Sequence, residues 1–401
     1  MHKNYGTFHS RNDNMVIYIV MALFIPLCIQ VDALTAPVVN EPSRWQRRTA
    51  KRRQRTESLL ELIEQNTDNT SSSSMTNYDI PTLKIPTQYK INWDEVIPEL
   101  DPMRGGKIRQ GTSKRTERGV RKRAQVECFY YICSTLLESQ DSNVTIIDAG
   151  CGAGNLAIGL AGLLDIHNNI PNNHHVNVLA VDVNKHALQR LEERAETIFP
   201  SGYLNTCCED LANIQEILAQ VPADNNVIVV SLHACGSASD MAMELAFACD
   251  APFIICPCCT AKSLTKRSDI PTQQSSYDTS ASFIRSGATA DINYPRSIWL
   301  RSRMVGQDGK EFITMEEQYT TLAKVADVGL GPQTPSQQRE HQRRAKHIVE
   351  MDRLRYASEE HGYNVRLMRI ENHDPLVYGK GEILLGTKNE VFAHEAAEIL
   401  S

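Results

Sequence analysis

Short apolar runs alternate along this chain with longer stretches whose apolar positions recur at helical spacing. The runs Val144–Ile147, Val176–Val181, Gly202–Cys208, Asn226–His233 and Pro252–Cys256 are mostly β-branched or otherwise apolar and end at turn residues. Each predicts a buried strand. Between them, Leu156–Leu164, Asn184–Thr197 and Asp240–Cys249 predict helices, the last capped by Ser237 or Ser239. Strand–helix alternation of this kind predicts an α/β fold on a mostly parallel sheet. Further on, Glu317–Val328 and Ser336–His361 predict helices. Tyr363–Ile370 and Gly381–Gly386, separated by His373-Asp-Pro, predict a closing pair of antiparallel strands. Upstream, Arg118–Glu138 predicts a helix that turns Val120, Cys128, Ile132, Thr135 and Leu136 to the sheet, and Ser58–Gln65 a shorter one.

Ahead of these elements the pattern changes. Lys3 and Arg11 precede the apolar run Met15–Ile29, and Val31 and Ala33 occupy the −3 and −1 positions of a signal cleavage site. Pro26 and the shortness of the run argue against a stable membrane span in the mature chain. Residues 1–33 therefore read as a signal-like targeting segment. Residues 34–101 read as a linker, basic at Arg44–Arg55 and Ser/Thr/Asn-rich, hence disordered, at Asn66–Asn77. Residues 102–401 read as the catalytic-type domain, with a long insertion at about 262–309. A signal followed by an Arg-rich, acid-poor segment resembles the bipartite plastid presequences of algae with complex plastids. The secretory route and the cytoplasm are the alternatives. On the secretory route Asn69-Thr-Ser would be a glycosylation acceptor.

The candidate chemistry begins in Asp148-Ala-Gly-Cys-Gly-Ala-Gly-Asn155, where Gly150, Gly152 and Gly154 recur at every second position. Glycines there allow positive φ and let the backbone approach a ligand that a Cβ would exclude. The loop feeds a helix N-terminus, which favours polar or anionic ligand groups. Asp182 ends the second strand about 28 residues after the last glycine, where the usual spacing is ~20. The surplus is the polar loop His167–His175, and the acid is placed to hold the two hydroxyls of a ribose. Asp210, after the third strand, is placed to meet an adenine amino group.

These features together resemble the class I S-adenosylmethionine-dependent methyltransferases. The resemblance implies a Rossmann-like, mostly parallel sheet with a C-terminal antiparallel strand pair. It also implies S-adenosylmethionine as cofactor, held by Asp148, Gly150, Gly152, Gly154, Asp182 and Asp210. The dinucleotide fingerprint differs, because the glycines here keep a spacing of two throughout. Ser-Leu-His233-Ala-Cys235-Gly-Ser-Ala-Ser-Asp240, Cys256-Pro-Cys258-Cys259 and Asn293-Tyr-Pro-Arg-Ser297 narrow the likeness. They are similar to the methyltransferase-domain subgroup that includes the C-terminal half of the glutathione S-transferase C-terminal domain-containing protein. More distantly they are similar to the tRNA 2′-O-methyltransferase of the acceptor stem, whose zinc finger has no counterpart upstream here.

Composition changes this picture little: the chain is 41% hydrophobic and 22% charged with a net charge of −6, so nothing global calls for a polyanionic partner. Locally the balance reverses. Arg104, Lys107, Arg109, Lys114, Arg115, Arg118, Arg121, Lys122 and Arg123 face one acid, Glu117, in a patch suited to RNA phosphates or serving only as a solvated helix face. Within the insertion, Tyr294 and Arg296 either meet a substrate by stacking and phosphate pairing, or Tyr294 and Trp299 anchor the loop in a hydrophobic notch.

The eleven cysteines lie mostly in strands and strand tips rather than in a disulfide framework, which predicts reduced thiols. Ligands lie beyond the carboxyl ends of strands in such sheets, so His233, Cys235, Cys256, Cys258 and Cys259 should converge where a methyl acceptor sits. His233 is the candidate base, and Cys235 and Cys259 are candidate catalytic thiols. A zinc ion held with His233 is an alternative, but the Cys-x-x-Cys spacing of a structural zinc site is missing, and no metal is assigned. Tight packing beneath the cofactor is the simplest role for these small side chains. No Asn/Asp-Pro-Pro-Tyr follows the fourth strand, which disfavours exocyclic amines as acceptors. Three functions stay open: a methyltransferase acting on RNA or another macromolecule, a non-catalytic cofactor-binding scaffold, and a nicotinamide dehydrogenase. The oligomeric state is not legible.

Overall fold

The computed structural model describes residues 43–65, 80–103, 113–138, 142–166, 175–199, 203–260, 292–304, 314–327, 334–371 and 381–388. The targeting segment 1–33, the run 66–77, residues 104–112 of the basic patch and 261–291 of the insertion lie outside them.

The apolar runs form strands β2 (Val144–Ala149), β3 (Val176–Val181), β4 (Leu204–Cys207), β5 (Asn226–Leu232) and β6 (Phe253–Cys256). The closing pair is β7 (Asn364–Ile370) and β8 (Glu382–Thr387), and a short β1 (Thr82–Leu83) precedes them all. Among the described residues they make one eight-stranded sheet in the order β1-β7-β8-β6-β5-β2-β3-β4. β8 runs antiparallel to both of its neighbours, β6 and β7, and every other neighbouring pair is parallel. This is the sheet that the strand pattern and the class I resemblance imply.

The helices are α1 (Arg44–Gln65), α2 (Ser113–Glu138), α3 (Asn155–Ile166), α4 (Lys185–Ala195), α5 (Ile214–Leu218), α6 (Ser237–Ala248), α7 (Ile298–Met304), α8 (Met315–Ala326) and α9 (Ser336–His361). A sheet covered on both faces needs strands apolar on both sides, and β2 is buried at all six of its positions. Side chains of α2, α3 and α4 share one core with Val144, Ile146, Val178 and Ile254. Side chains of α5, α6 and α9 share a second with Ile147, Val229, Phe253 and Leu384. Each fully buried Leu, Ile or Phe of this kind contributes about 1.5–3 kcal/mol. A third core is purely helical, with Leu59, Leu60 and Ile63 of α1 against Leu300, Tyr319, Leu322 and Ile348.

The structure departs from the sequence pattern at several places. Helix α6 begins at Ser237 rather than Asp240, and its N-cap is Gly236 at φ 59°, with no side-chain cap. The expected caps are used otherwise, as Ser239 Oγ donates to the Ala234 carbonyl at 2.7 Å. Residues assigned to a linker contribute to the core, since Leu83, Ile85, Ile91 and Leu100 are buried and Arg369 N–H donates to the Pro81 carbonyl (2.8 Å). Such scattered apolar residues show neither strand nor helix period, which is why the pattern reads as a linker. A compact unit begins at Thr49. Among the described residues no helix is long and apolar enough to cross a membrane.

Candidate active site

The sheet reverses its strand order between β2 and β5, the switch point beyond which an open α/β sheet has its ligand crevice. The glycine loop leaves β2 into this crevice with Gly150, Gly152 and Gly154 at φ 77°, 55° and 75°. It is tied down from the β3 side. Gly150 and Cys151 N–H both donate to the Val181 carbonyl, at 2.9 and 3.0 Å. Asp182 Oδ2 accepts from Gly152 N–H at 2.8 Å, and Oδ1 accepts from Asn184 N–H at 2.8 Å. Asn184 in turn caps α4, accepting from His186 and Ala187 N–H. Arg194, in the last turn of α4, donates to the Ala153 carbonyl at 2.6 Å. The sequence pattern did not single out Arg194, since an Arg at a helix end reads as a solvated charge.

Two observations show that this loop fits an S-adenosyl cofactor. A Cβ built on Gly152 would meet nothing within 4 Å, so the backbone faces open space where a ligand can approach. On Gly154 the same Cβ would lie 2.5 Å from Leu191, so that glycine serves packing against α4. The second observation is Asp148, 1% exposed at the end of β2, whose carboxyl has only a weak approach from the Ala157 N–H of α3 and no well-formed hydrogen bond. Burial raises its pKa to about 8, and the nearby Asp182 charge adds to the rise. A buried carboxyl this poorly satisfied matches a ligand that brings its own cation or N–H group. Asp148, Gly150, Gly152, Asp182 and, at the β4 tip, Asp210 would hold the cofactor, while Gly154, expected to join them, packs on Leu191. Asp210 Oδ1 accepts from Ala212 N–H (3.0 Å), which fixes that turn.

Next to this loop stand the tips of β5 and β6. A Cβ built on Gly150 would lie 3.8 Å from the Ala234 Cβ, so the His-Ala-Cys-Gly turn borders the cofactor loop directly. His233 is exposed and sits at φ 72°, a left-handed conformation unusual for a residue with a Cβ. Its N–H donates to the Cys256 carbonyl at 3.1 Å, which joins the two tips. Cys235, Cys258 and Cys259 converge, with Cys235 and Cys258 Sγ 2.9 Å apart and Cys258 and Cys259 Sγ 3.6 Å apart. Hydrogen bonding to Cys258 and Cys259, then burial, pushes the Cys235 thiol far up, which works against its use as a free thiolate nucleophile. Cys256 does not join them. It is buried in the sheet, and burial raises its pKa to about 12.

Tyr294 and Arg296, expected to meet a substrate, are instead occupied inside the protein. Tyr294 stacks on Tyr319 at 4.8 Å and donates to Asp240 Oδ2 at 2.9 Å. Arg296 is 3% exposed, pairs with Asp240 at 3.0 Å and also with Glu244, and lies over the Tyr356 ring at 3.9 Å. Tyr294 and Trp299 pack against the third core, as the anchoring alternative has it, while Arg296 is held by buried ion pairs that neither expectation named. Part of the basic patch is likewise committed. Arg123 pairs with the buried Asp101 at 2.6 Å and lies over Trp93 at 5.5 Å. A separate surface cavity of about 430 Å³, lined by Leu179, Glu192, Phe199 and Thr206 among others, includes neither the glycine loop nor the cysteine tips.

The sheet order, the antiparallel closure at β8 and the glycine loop braced by an acid from the next strand define a class I S-adenosylmethionine-dependent methyltransferase domain. Residues 121–266 match the protein family described as "Methyltransferase domain", which covers the glycine loop and both strand tips. Among known proteins, the chain is 24% identical over 285 residues to the glutathione S-transferase C-terminal domain-containing protein of Bos taurus, a match covering 71% of this chain and 35% of that protein. The Homo sapiens protein of the same name is 25% identical over 285 residues, with the same coverage. The chain thus spans about a third of the length of these relatives. Among solved structures, the methyltransferase domain of bacterial CtHen1 aligns with a TM-score of 0.32 at 15% identity, over 66% of this chain and 97% of that one. The plantazolicin methyltransferase BpumL in complex with SAH aligns with a TM-score of 0.30 at 10% identity, over 73% and 95%.

Proposed function

We propose that the chain transfers the methyl group of S-adenosylmethionine to a macromolecular acceptor, with RNA as the acceptor class. The bracing of the glycine loop by Asp182, beside the buried and poorly satisfied Asp148, is the observation that carries methyl transfer. When bound, the cofactor supplies a sulfonium-activated methyl group for in-line displacement. The chain's own residues then have two tasks. The glycine loop and its acids orient the donor, and the β5 and β6 tips hold the acceptor in line with it. His233, exposed at the β5 tip, takes the proton from a hydroxyl acceptor.

The RNA reading draws on the basic run Arg104–Arg123, which leads into the domain in a chain that is acidic overall. Tritiated S-adenosylmethionine incubated with the chain and cellular RNA and protein tests both steps. Label in RNA that ribonuclease removes is the expected result. Label only in protein would move the acceptor class. No label in any fraction, despite cofactor binding, would leave the non-catalytic scaffold. His233→Ala should lower transfer at least tenfold while S-adenosylhomocysteine affinity stays unchanged.

A further inference from the structure

We propose that Cys235, Cys258 and Cys259 form a three-thiolate site for a thiophilic d10 cation, zinc, at the tips of β5 and β6. The three sulfurs lie within 4.8 Å of one another. Around a tetrahedral zinc with bonds of about 2.3 Å, thiolate sulfurs stand on the order of 3.8 Å apart. The Cys258–Cys259 separation of 3.6 Å already matches, and Cys235 and Cys258, 2.9 Å apart, would open to admit the ion. Adjacent residues at one tip supply two ligands and the neighbouring strand supplies the third, so a search for Cys-x-x-Cys spacing passes over the site.

The backbone on both sides of the cluster is braced. Gly236 N–H donates to the Cys259 carbonyl at 3.0 Å, and the Gly236 carbonyl accepts from Arg353 Nη2 at 2.9 Å. Immediately after Cys259, Asp327 Oδ1 of the α8 end accepts from Thr260 N–H and Oγ, at 2.5 and 2.9 Å. The electrostatics agree. The His233 carbonyl, which accepts from Cys235 Sγ at 3.2 Å and lies 3.9 Å from Cys258 Sγ, turns the negative end of its dipole on the cluster.

Softness selects the ion, because three thiolates with no carboxylate suit zinc rather than magnesium or calcium. Binding is redox-neutral: each thiol that ligates loses its proton to solvent as its sulfur–metal bond forms. All three cysteines are half-buried rather than enclosed, so the fourth position stays open, the arrangement of zinc sites that take an exogenous ligand. The proposal does not depend on the identity of the methyl acceptor.

The test uses the full chain, purified under reducing conditions from zinc-supplemented growth. Elemental analysis should find about one zinc per chain, the stoichiometry of a single three-thiolate site. After stripping, Co²⁺ titration should produce sulfur-to-cobalt charge-transfer bands. Cys235→Ser, Cys258→Ser and Cys259→Ser should each lose metal and bands, whereas Cys249→Ser, at the far end of α6, should keep both. A readout without variants is alkylation mapping, in which zinc should protect Cys235, Cys258 and Cys259 and leave Cys208 reactive. Failure of the reduced wild-type chain to take up Zn²⁺ or Co²⁺ would overturn the proposal. So would protection mapping to other cysteines, or a Cys235–Cys258 disulfide in the protein as isolated.

Discussion

Arg353 of α9 meets Asp240 of α6 at two points with both side chains 0% exposed, Nε on Oδ1 at 3.2 Å and Nη2 on Oδ2 at 3.0 Å. The same Nη2 donates to the Gly236 carbonyl, so an ion pair spanning 113 residues of sequence positions the turn that carries Cys235. Arg296 and Tyr294 complete the shell around the Asp240 carboxylate. Burial alone would raise the Asp240 pKa, but the charges of Arg353 and Arg296 outweigh it and hold the group below the ordinary carboxylate range.

Asp240→Asn leaves two buried guanidiniums short of counter-charge and should destabilise the domain by about 3–5 kcal/mol in urea titrations at neutral pH. A depressed pKa in the folded state contributes stability above the unfolded value, which is lost as pH falls through the folded one. The gap between wild type and variant should therefore narrow in acid. A gap that holds constant down to the acid transition would refute the role of the carboxylate charge.

Gly152→Val and Gly154→Val should separate binding from folding. At Gly152 the new side chain enters open space, so S-adenosylhomocysteine binding should vanish by calorimetry while stability falls only by the ~1–2 kcal/mol of a positive-φ residue. At Gly154 it would strike Leu191, and the melting temperature should drop much further. Equal losses of stability would contradict this division of labour. Asp182→Ala should also abolish binding, since it frees Gly152 N–H and Asn184 N–H together.

Asp148 links cofactor binding to pH. With its pKa raised to about 8 by burial, the carboxyl is protonated in the free domain at neutral pH. A cationic ligand group favours the ionised form, so affinity for S-adenosylhomocysteine should rise with pH below 8, approaching about tenfold per unit. Calorimetry in buffers of different ionisation enthalpy should register proton release on binding. Asp148→Asn should bind more weakly and lose the slope. The same shift has the opposite sign for folding: the folded state keeps a proton that the unfolded chain releases, so this group's contribution to stability falls as pH rises from about 4 to about 8.

The basic run should divide in the same manner. Replacing Arg104, Lys107 and Arg109 with Gln should flatten the salt dependence of RNA binding, with no change in melting temperature. Each phosphate that is no longer neutralised should lower the log–log slope by about 1. Arg123→Gln instead strands the buried Asp101 and should cost about 1–3 kcal/mol of stability. RNA affinity insensitive to the triple change would remove the basis of the RNA reading.

Much of the domain is legible in the order of residues alone. β-branched runs covered on both faces look alike in sequence and in space, so β2, β3, β5 and β6 stand within a residue or two of the apolar runs that predict them. The glycine spacing and Asp182 are equally legible, because a backbone that must take positive φ restricts the residues allowed there. Short-range pattern is blind where function depends on charges that meet from distant segments. An Arg and a Tyr beside a proline read as ligands for a nucleic acid, yet Arg296 and Tyr294 are claimed by Asp240 on another helix.

The sequence by itself therefore determined the sheet, its crevice and the cofactor loop, since hydrophobic period and glycine conformation are local properties. Only the tertiary structure decided which polar groups are paired and which are left over. It brought Cys235 from one strand tip to Cys258 and Cys259 on the next, and it buried Asp148 with no well-formed hydrogen bond. Desolvation and Coulomb interactions act through space, and their partners here lie tens to more than a hundred residues apart along the chain.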